Sequence, residues 1–203
     1  ERFRPVNLYN TPEGDLMIVD MYRGILQHRV YVTSFLRKQI LERGLDKPVG
    51  LGRIYRVTHQ SKRTRARPGF ANKSGEQLTA MLEHPGGWQR DTAQRLLIDA
   101  GDKSIAPALR KLAAESEFPA TRMHALWTLE GLGALDTGTI EKALADKRSK
   151  VRETGIRLAE VLINEAIADE EEQMARVGLL DSIDFMIEAN TEIGVLRQIA
   201  LSV

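Results

Sequence analysis

The chain has 203 residues, 29 Lys and Arg against 28 Asp and Glu, no Cys, 42% hydrophobic and 28% charged residues. That is enough apolar material for a real core, and too little net charge for a disordered chain. The lack of Cys excludes disulfides, Cys-ligated zinc, iron–sulfur clusters, thiol catalysis and covalent c-type haem attachment within these residues.

The near-neutral total hides a split. Residues 1–75 carry 15 Lys/Arg and 6 Asp/Glu, whereas residues 76–203 carry 14 and 22, which predicts two structural units. No apolar run approaches the ~20 residues of a helical membrane span, and no signal peptide is visible. The chain opens at Glu1-Arg2-Phe3 without Met and stops inside the apolar periodic run Val195–Leu201. Both ends lead us to expect a piece of a longer protein.

In chain order, Val6–Asn10 alternates as a short strand and ends in the turn Thr11-Pro12-Glu13-Gly14-Asp15. Leu16–Tyr22 is almost wholly apolar, as expected of a strand covered on both faces. The period then becomes helical over residues 33–44. There Phe35, Leu36, Ile40 and Leu41 share a face, Thr33 is a suitable N-cap and Gly44 a suitable stop. Arg53–Thr58 alternates strictly and turns Ile54 to the face opposite Arg53 and Tyr55. Three strands and one inserted helix amount to about one sheet of a larger β structure and are too few for independent stability.

Residues 59–75 read as a boundary. The run Lys62-Arg63-Thr64-Arg65-Ala66-Arg67 is basic and breaker-ended but has no interleaved aromatics, so a solvated linker fits better than a nucleic-acid or membrane site.

From Gln77 the pattern is helical and repeated. Arg90, Arg122, Arg152 and, more loosely, Arg197 are each followed three residues later by a small residue: Ala93, Ala125, Gly155 or Ala200. Shorter helices are expected over 105–115 and 138–145, with breaks at Phe118-Pro119 and Asp146-Lys147. Leu96, Leu129 and Leu158 are the expected buried partners, and Trp88 and Trp127 are expected in the core. The acidic stretch 165–173 interrupts the spacing. Helix–turn–helix units at this period predict an α-solenoid over residues 76–203.

The helical part, with Val151-Arg152 opening its third copy, resembles HEAT repeats. Residues 1–58 carry Phe3-Arg4-Pro5-Val6, Pro12–Gly24 and Gly52-Arg53-Ile54-Tyr55-Arg56-Val57. These strings resemble the last β-propeller blade of the planctomycete-type membrane-bound dehydrogenase-like proteins. Those proteins join a propeller similar to glucose/sorbosone dehydrogenase to HEAT repeats, often with a cytochrome c domain. The resemblance implies a fold of partial propeller blade (1–58), linker (59–75) and solenoid (76–203). It further implies a periplasmic or extracellular setting, and a parent that uses PQQ, Ca²⁺ or haem c. The chain lacks Cys-x-x-Cys-His and the blades that carry the catalytic histidine of sugar dehydrogenases, so no catalytic residue is assigned.

Five residues are channel or cofactor candidates. Asp20, Tyr22 and Arg23 follow a blade strand towards the channel mouth, and offer a carboxylate, a phenol and a guanidinium to a quinone, a sugar or Ca²⁺. The structural alternative is that Asp20 accepts from neighbouring turn amides and pairs with Arg23. His28 and Arg29 lie just beyond, but His28 has no second ligand or carboxylate at a diagnostic spacing, and no His-x-x-x-His exists for a metal. Gly86-Gly87 and Gly131-x-Gly133 lack the Lys-Ser/Thr or strand-first setting of a nucleotide loop. The implied partners are adjacent domains or another protein. Nucleic acid is disfavoured by the acidic helical region. The alternative function is a non-enzymatic HEAT-repeat interaction scaffold.

Overall fold

The computed structural model describes residues 2–59, 69–164, 178 and 181. Among these the fold is mixed, with seven α-helices and a three-stranded antiparallel sheet. The chain divides into two compact units, Glu1–Pro68 and Gly69–Val203. The basic run 62–67, the acidic stretch 165–173 and the Arg197 copy of the repeat lie outside the described residues.

The first unit holds β1 (Pro5–Asn10), β2 (Leu16–Asp20), α1 (Ser34–Glu42) and β3 (Arg53–Val57), with β2 central. The β1–β2 turn is closed by Gly14 N–H donating to Thr11 O at 2.9 Å and Asp15 N–H donating to Thr11 Oγ1 at 3.0 Å. Gly14 sits at φ +90°, where a side chain would be strained. Arg56 of β3 reaches back to the same turn and pairs with Asp15 at 2.6 Å and Glu13 at 3.5 Å. Thr33 caps α1 by accepting from Leu36 N–H at 3.3 Å, and Gly44 follows at φ +60°.

Two sequence expectations change here. The strand ends at Asp20 instead of Tyr22, because Asp20 Oδ1 accepts from Tyr22 N–H at 2.8 Å and Tyr22 turns to φ +47°. A side-chain acceptor that captures the second amide beyond itself closes a turn in place of the ladder. The apolar run is also not covered on both faces. Leu16 to Val19 are half-buried, all of β1 and β3 is exposed, and Asp20 is the one buried residue among positions 2–59.

The second unit contains α2 (Gly75–Met81), α3 (Gly87–Ala100), α4 (Ala106–Glu115), α5 (Pro119–Gly131), α6 (Thr137–Leu144) and α7 (Ser149–Asn164). Their starts follow local chemistry: a capping box from Ser74 and Gln77 for α2, Pro119 at the first position of α5, and Asp136 capping α6. Successive helices pair as α2 on α3, α4 on α5 and α6 on α7. The pairs then stack, α3 on α5 on α7 and α2 on α4 on α6.

The core follows the repeat. Ala93 and Ala125 are fully buried and Gly155 is buried as well, and a Cβ built on Gly155 would lie 3.2 Å from both Ala143 Cβ and the Leu144 backbone nitrogen. The small position therefore sets how closely α7 approaches α6. Leu97, Leu129 and Leu158 are buried, whereas Leu96 is only partly so, which moves the first leucine of the repeat by one residue. Trp127 is half-buried against the core. Trp88 is half-buried as well and meets Phe70 edge-on at 5.7 Å. Neither indole is fully internal.

The charge split also sharpens. Residues 76–164 carry 12 Lys/Arg and 13 Asp/Glu, so the acidic excess of the second half resides in residues 165–203. The described helices are close to neutral, which removes their acidity as a reason against a polyanionic partner.

Candidate functional site

Asp20 is the hub of the first unit. Its Oδ1 accepts from Arg4 N–H at 2.6 Å and from Tyr22 N–H at 2.8 Å, and Met21 N–H donates to Arg4 O at 3.1 Å. The residue is 1% exposed, and its second oxygen, Oδ2, has no hydrogen-bond partner among the described residues. Buried carboxylate oxygens normally accept at least one bond, so Oδ2 is the spare acceptor of this cluster.

Tyr22 stands beside it through the left-handed turn. The guanidinium of Arg53, the residue registered opposite Asp20 across the sheet, lies 3.5 Å from the centre of the Tyr22 ring. Such stacking holds a flat cation over a flat ring. Gly24 is needed nearby, because a Cβ there would lie 2.5 Å from Leu45 O. Arg4 Nη2 donates to Gly24 O at 3.3 Å.

The other candidates fall apart from this hub. Arg23 is half-buried and forms no ion pair among the described residues, so of the structural alternative the amide bonds to Asp20 are present and the pairing with Arg23 is not. His28 is exposed and caps a 3-10 turn, Arg29–Tyr31, with Nδ1 accepting from Val30 N–H at 3.4 Å. Arg29 opens that turn and is exposed. Neither residue has a bond to Asp20 or Tyr22. Sequence reading missed Arg53 and Arg4 as partners. The signal for Arg53 was its alternation within β3, which put it on one sheet face with Tyr55.

What this cluster can hold is limited. Ca²⁺ takes about six to eight oxygens, and Asp20 Oδ2 is a single free one. Among the described residues no three His, Asp or Glu side chains converge on a common point. The residues thus do not supply a calcium shell by themselves. The Arg53–Tyr22 stack adds a guanidinium and a phenol to the cluster.

In the helices the chemistry is that of a tie. Arg90 Nη1 donates to His84 O at 2.8 Å, Arg122 Nε to Ser116 O at 2.5 Å, and Arg152 Nη1 to Asp146 O at 2.8 Å. Each acceptor lies six residues before its arginine, in the turn that ends the preceding helix. Arg122 also pairs with the Asp146 carboxylate of the next turn. Thr121 Oγ1 donates to Leu82 O at 3.0 Å, and Ser116 Oγ donates to Glu83 Oε1 at 3.2 Å, which links neighbouring pairs.

His124 joins α5 to α3. Its Nδ1 lies 2.6 Å from Gln94 Oε1, and its Nε2 lies 3.7 Å from Asp91 Oδ1. Burial holds its pKa below the ordinary imidazole value, reinforced by Arg90 and opposed by Asp91. Asp136 feels burial too, but bonds from Thr139 and from Arg110, whose Nε lies 2.5 Å from its Oδ2, hold its carboxyl below the usual range.

A family model described as a domain of unknown function (DUF7133) matches residues 1–61. That span takes in all three strands and α1. No curated protein and no solved structure matches the chain.

Proposed function

We propose that residues 1–58 are one blade of a larger β-propeller, and that the stacked helix pairs form a HEAT-like α-solenoid acting as a connector or interaction module. The parent would be an exported, propeller-type dehydrogenase-like protein with its catalytic centre outside this segment. One observation carries the blade reading. The two outer strands leave Val6, Leu8, Tyr9, Ile54, Tyr55 and Val57 exposed.

Registered pairs put Leu8, Ile18 and Tyr55 on one face of the sheet, and Val19 and Ile54 on the other. An antiparallel sheet that folds alone keeps one face polar. A sheet apolar on both faces calls for a covering layer on each side, as a blade has between its neighbours. The helix pairs, the buried small residue of each second helix and the six-residue arginine tie support the solenoid. In this setting Tyr22 and Arg53, backed by the buried Asp20, would form one wall of a channel for a quinone or a sugar, with the rest of the site elsewhere. PQQ, Ca²⁺ or haem c would belong to the parent.

The alternative is a non-enzymatic interaction scaffold, and the neutral, regularly stacked helices favour it as the role of residues 76–203 on their own. Flanking sequence separates the two: further blades with a channel histidine support the dehydrogenase reading, and their lack in the complete parent defeats it. On the chain itself, residues 1–59 made alone should give a collapsed, poorly dispersed amide NMR spectrum. A well-dispersed spectrum would refute the blade.

A further inference from the structure

The excursion between β2 and β3 holds the three most exposed large hydrophobic side chains of the described residues: Val30 at 78%, Tyr31 at 81% and Phe35 at 70%. They fall within six residues, on the 3-10 turn Arg29–Tyr31 and the first turn of α1. Thr33 caps α1 directly after that turn, and the His28 ring stands edge-on to Tyr31 at 6.4 Å, so the tip has defined local structure.

The charge around it has one sign. From Met21 to Leu41 there are four basic residues, Arg23, Arg29, Arg37 and Lys38, and no acid. Arg29 and Arg37 form no ion pair among the described residues. Lys38 has only a 3.9 Å contact with Glu42, both side chains being more than half exposed, and such pairs are weak. The sheet differs, since Arg56 is paired to Asp15 and Arg53 is stacked on Tyr22.

We propose that residues 29–38 are a docking surface for a membrane bearing anionic lipid. Tyr31, Phe35 and Val30 would enter the headgroup region, while Arg29, Arg37 and Lys38 meet lipid phosphates. The interleaving favours lipid over a protein partner. A protein interface gathers its aromatics into a core poor in charge, whereas here each apolar side chain lies within three positions of a cation. No helix among the described residues is long and apolar enough to cross a membrane.

The test is flotation of the full chain with vesicles of phosphatidylcholine alone and of phosphatidylcholine mixed equally with phosphatidylglycerol. Binding is expected to the mixed vesicles only, and to fall as salt rises. With about 1 kcal/mol per cation near an anionic surface, R29Q/R37Q should lower the partition coefficient about thirtyfold. Y31S/F35S should abolish binding, and because these side chains are exposed both variants should melt as the parent chain does. Equal binding to neutral vesicles, no binding to either, or binding unmoved by both variants at unchanged melting would overturn the proposal.

Discussion

Arg122 and Asp146 join two helix turns thirty residues apart in the ladder of stacked pairs. Arg122 Nε donates to Ser116 O behind it, while Nη1 pairs with the Asp146 carboxylate ahead. Both side chains are almost wholly buried, at 10% and 7% exposure. Asp146 is used again, its backbone oxygen receiving Arg152 Nη1 at 2.8 Å and its Oδ1 receiving Arg148 N–H at 2.8 Å. Removing one partner of a buried pair leaves an uncompensated charge and costs about 3–5 kcal/mol. Arg122→Ala and Asp146→Ala should each lower the unfolding free energy of the helical transition by that amount, read as a lower urea midpoint. The double variant should fall well short of the sum; additive losses would show that the two side chains act separately.

The His124 contact makes the helical unit sensitive to acid. The folded pKa lies below the ordinary value, so the unfolded chain binds the proton more readily. Stability is therefore full above the ordinary imidazole pKa, and is lost as pH falls through the depressed folded value. Urea midpoints, read by Trp88 and Trp127 fluorescence, should decline on moving from neutral to mildly acid pH. His124→Asn keeps a donor toward Gln94 and removes the titration, so its profile should be flatter over that window. An unchanged slope would place the acid sensitivity elsewhere.

Asp20 is expected to matter first to the sheet. Asp20→Ala leaves the amides of Arg4 and Tyr22 without their acceptor, a loss of about 1–3 kcal/mol for buried groups. Amide exchange at Arg4, Tyr22 and along β2 should quicken, while Asp20→Asn, which keeps the oxygen, should move it far less. If both variants leave exchange unchanged, Asp20 is not the hub that its bonds suggest.

Gly155 should not accept a side chain with ease. Its Cβ position is already in tight contact with Ala143 and Leu144. Gly155→Val should therefore cost about 1–3 kcal/mol by overpacking, seen as a lower melting temperature. A neutral effect would mean that α6 and α7 slide apart freely.

Much of this molecule was readable from residue order because its signals are local. Thr33 and Gly44 bracket α1, Pro119 opens α5, and the small residues at positions 93, 125 and 155 mark the helix that packs inward. Each depends on neighbours a few positions away. The end of β2 was not legible, since Tyr22 belongs to an apolar run and only the Asp20 side chain turns it aside. Nor was the partnership of Arg53 with Tyr22, which requires the sheet register. The ties of the anchor arginines were hidden differently: the arginines were visible, but their acceptors are backbone carbonyls six residues earlier, which carry no side-chain signature. The candidate site was legible as a list of polar residues following a strand. Its division into an Asp20–Tyr22–Arg53 cluster and a separate, exposed His28–Arg29 turn was not.

The three-stranded sheet has no sufficient core of its own, while the helix pairs do. Native-state hydrogen exchange on the whole chain tests this directly. Amides in α3, α5 and α7 should be protected to nearly the global unfolding free energy. Those of β1, β2 and β3 should open at a small fraction of it. Strand amides as slow to exchange as the helical core would contradict the account.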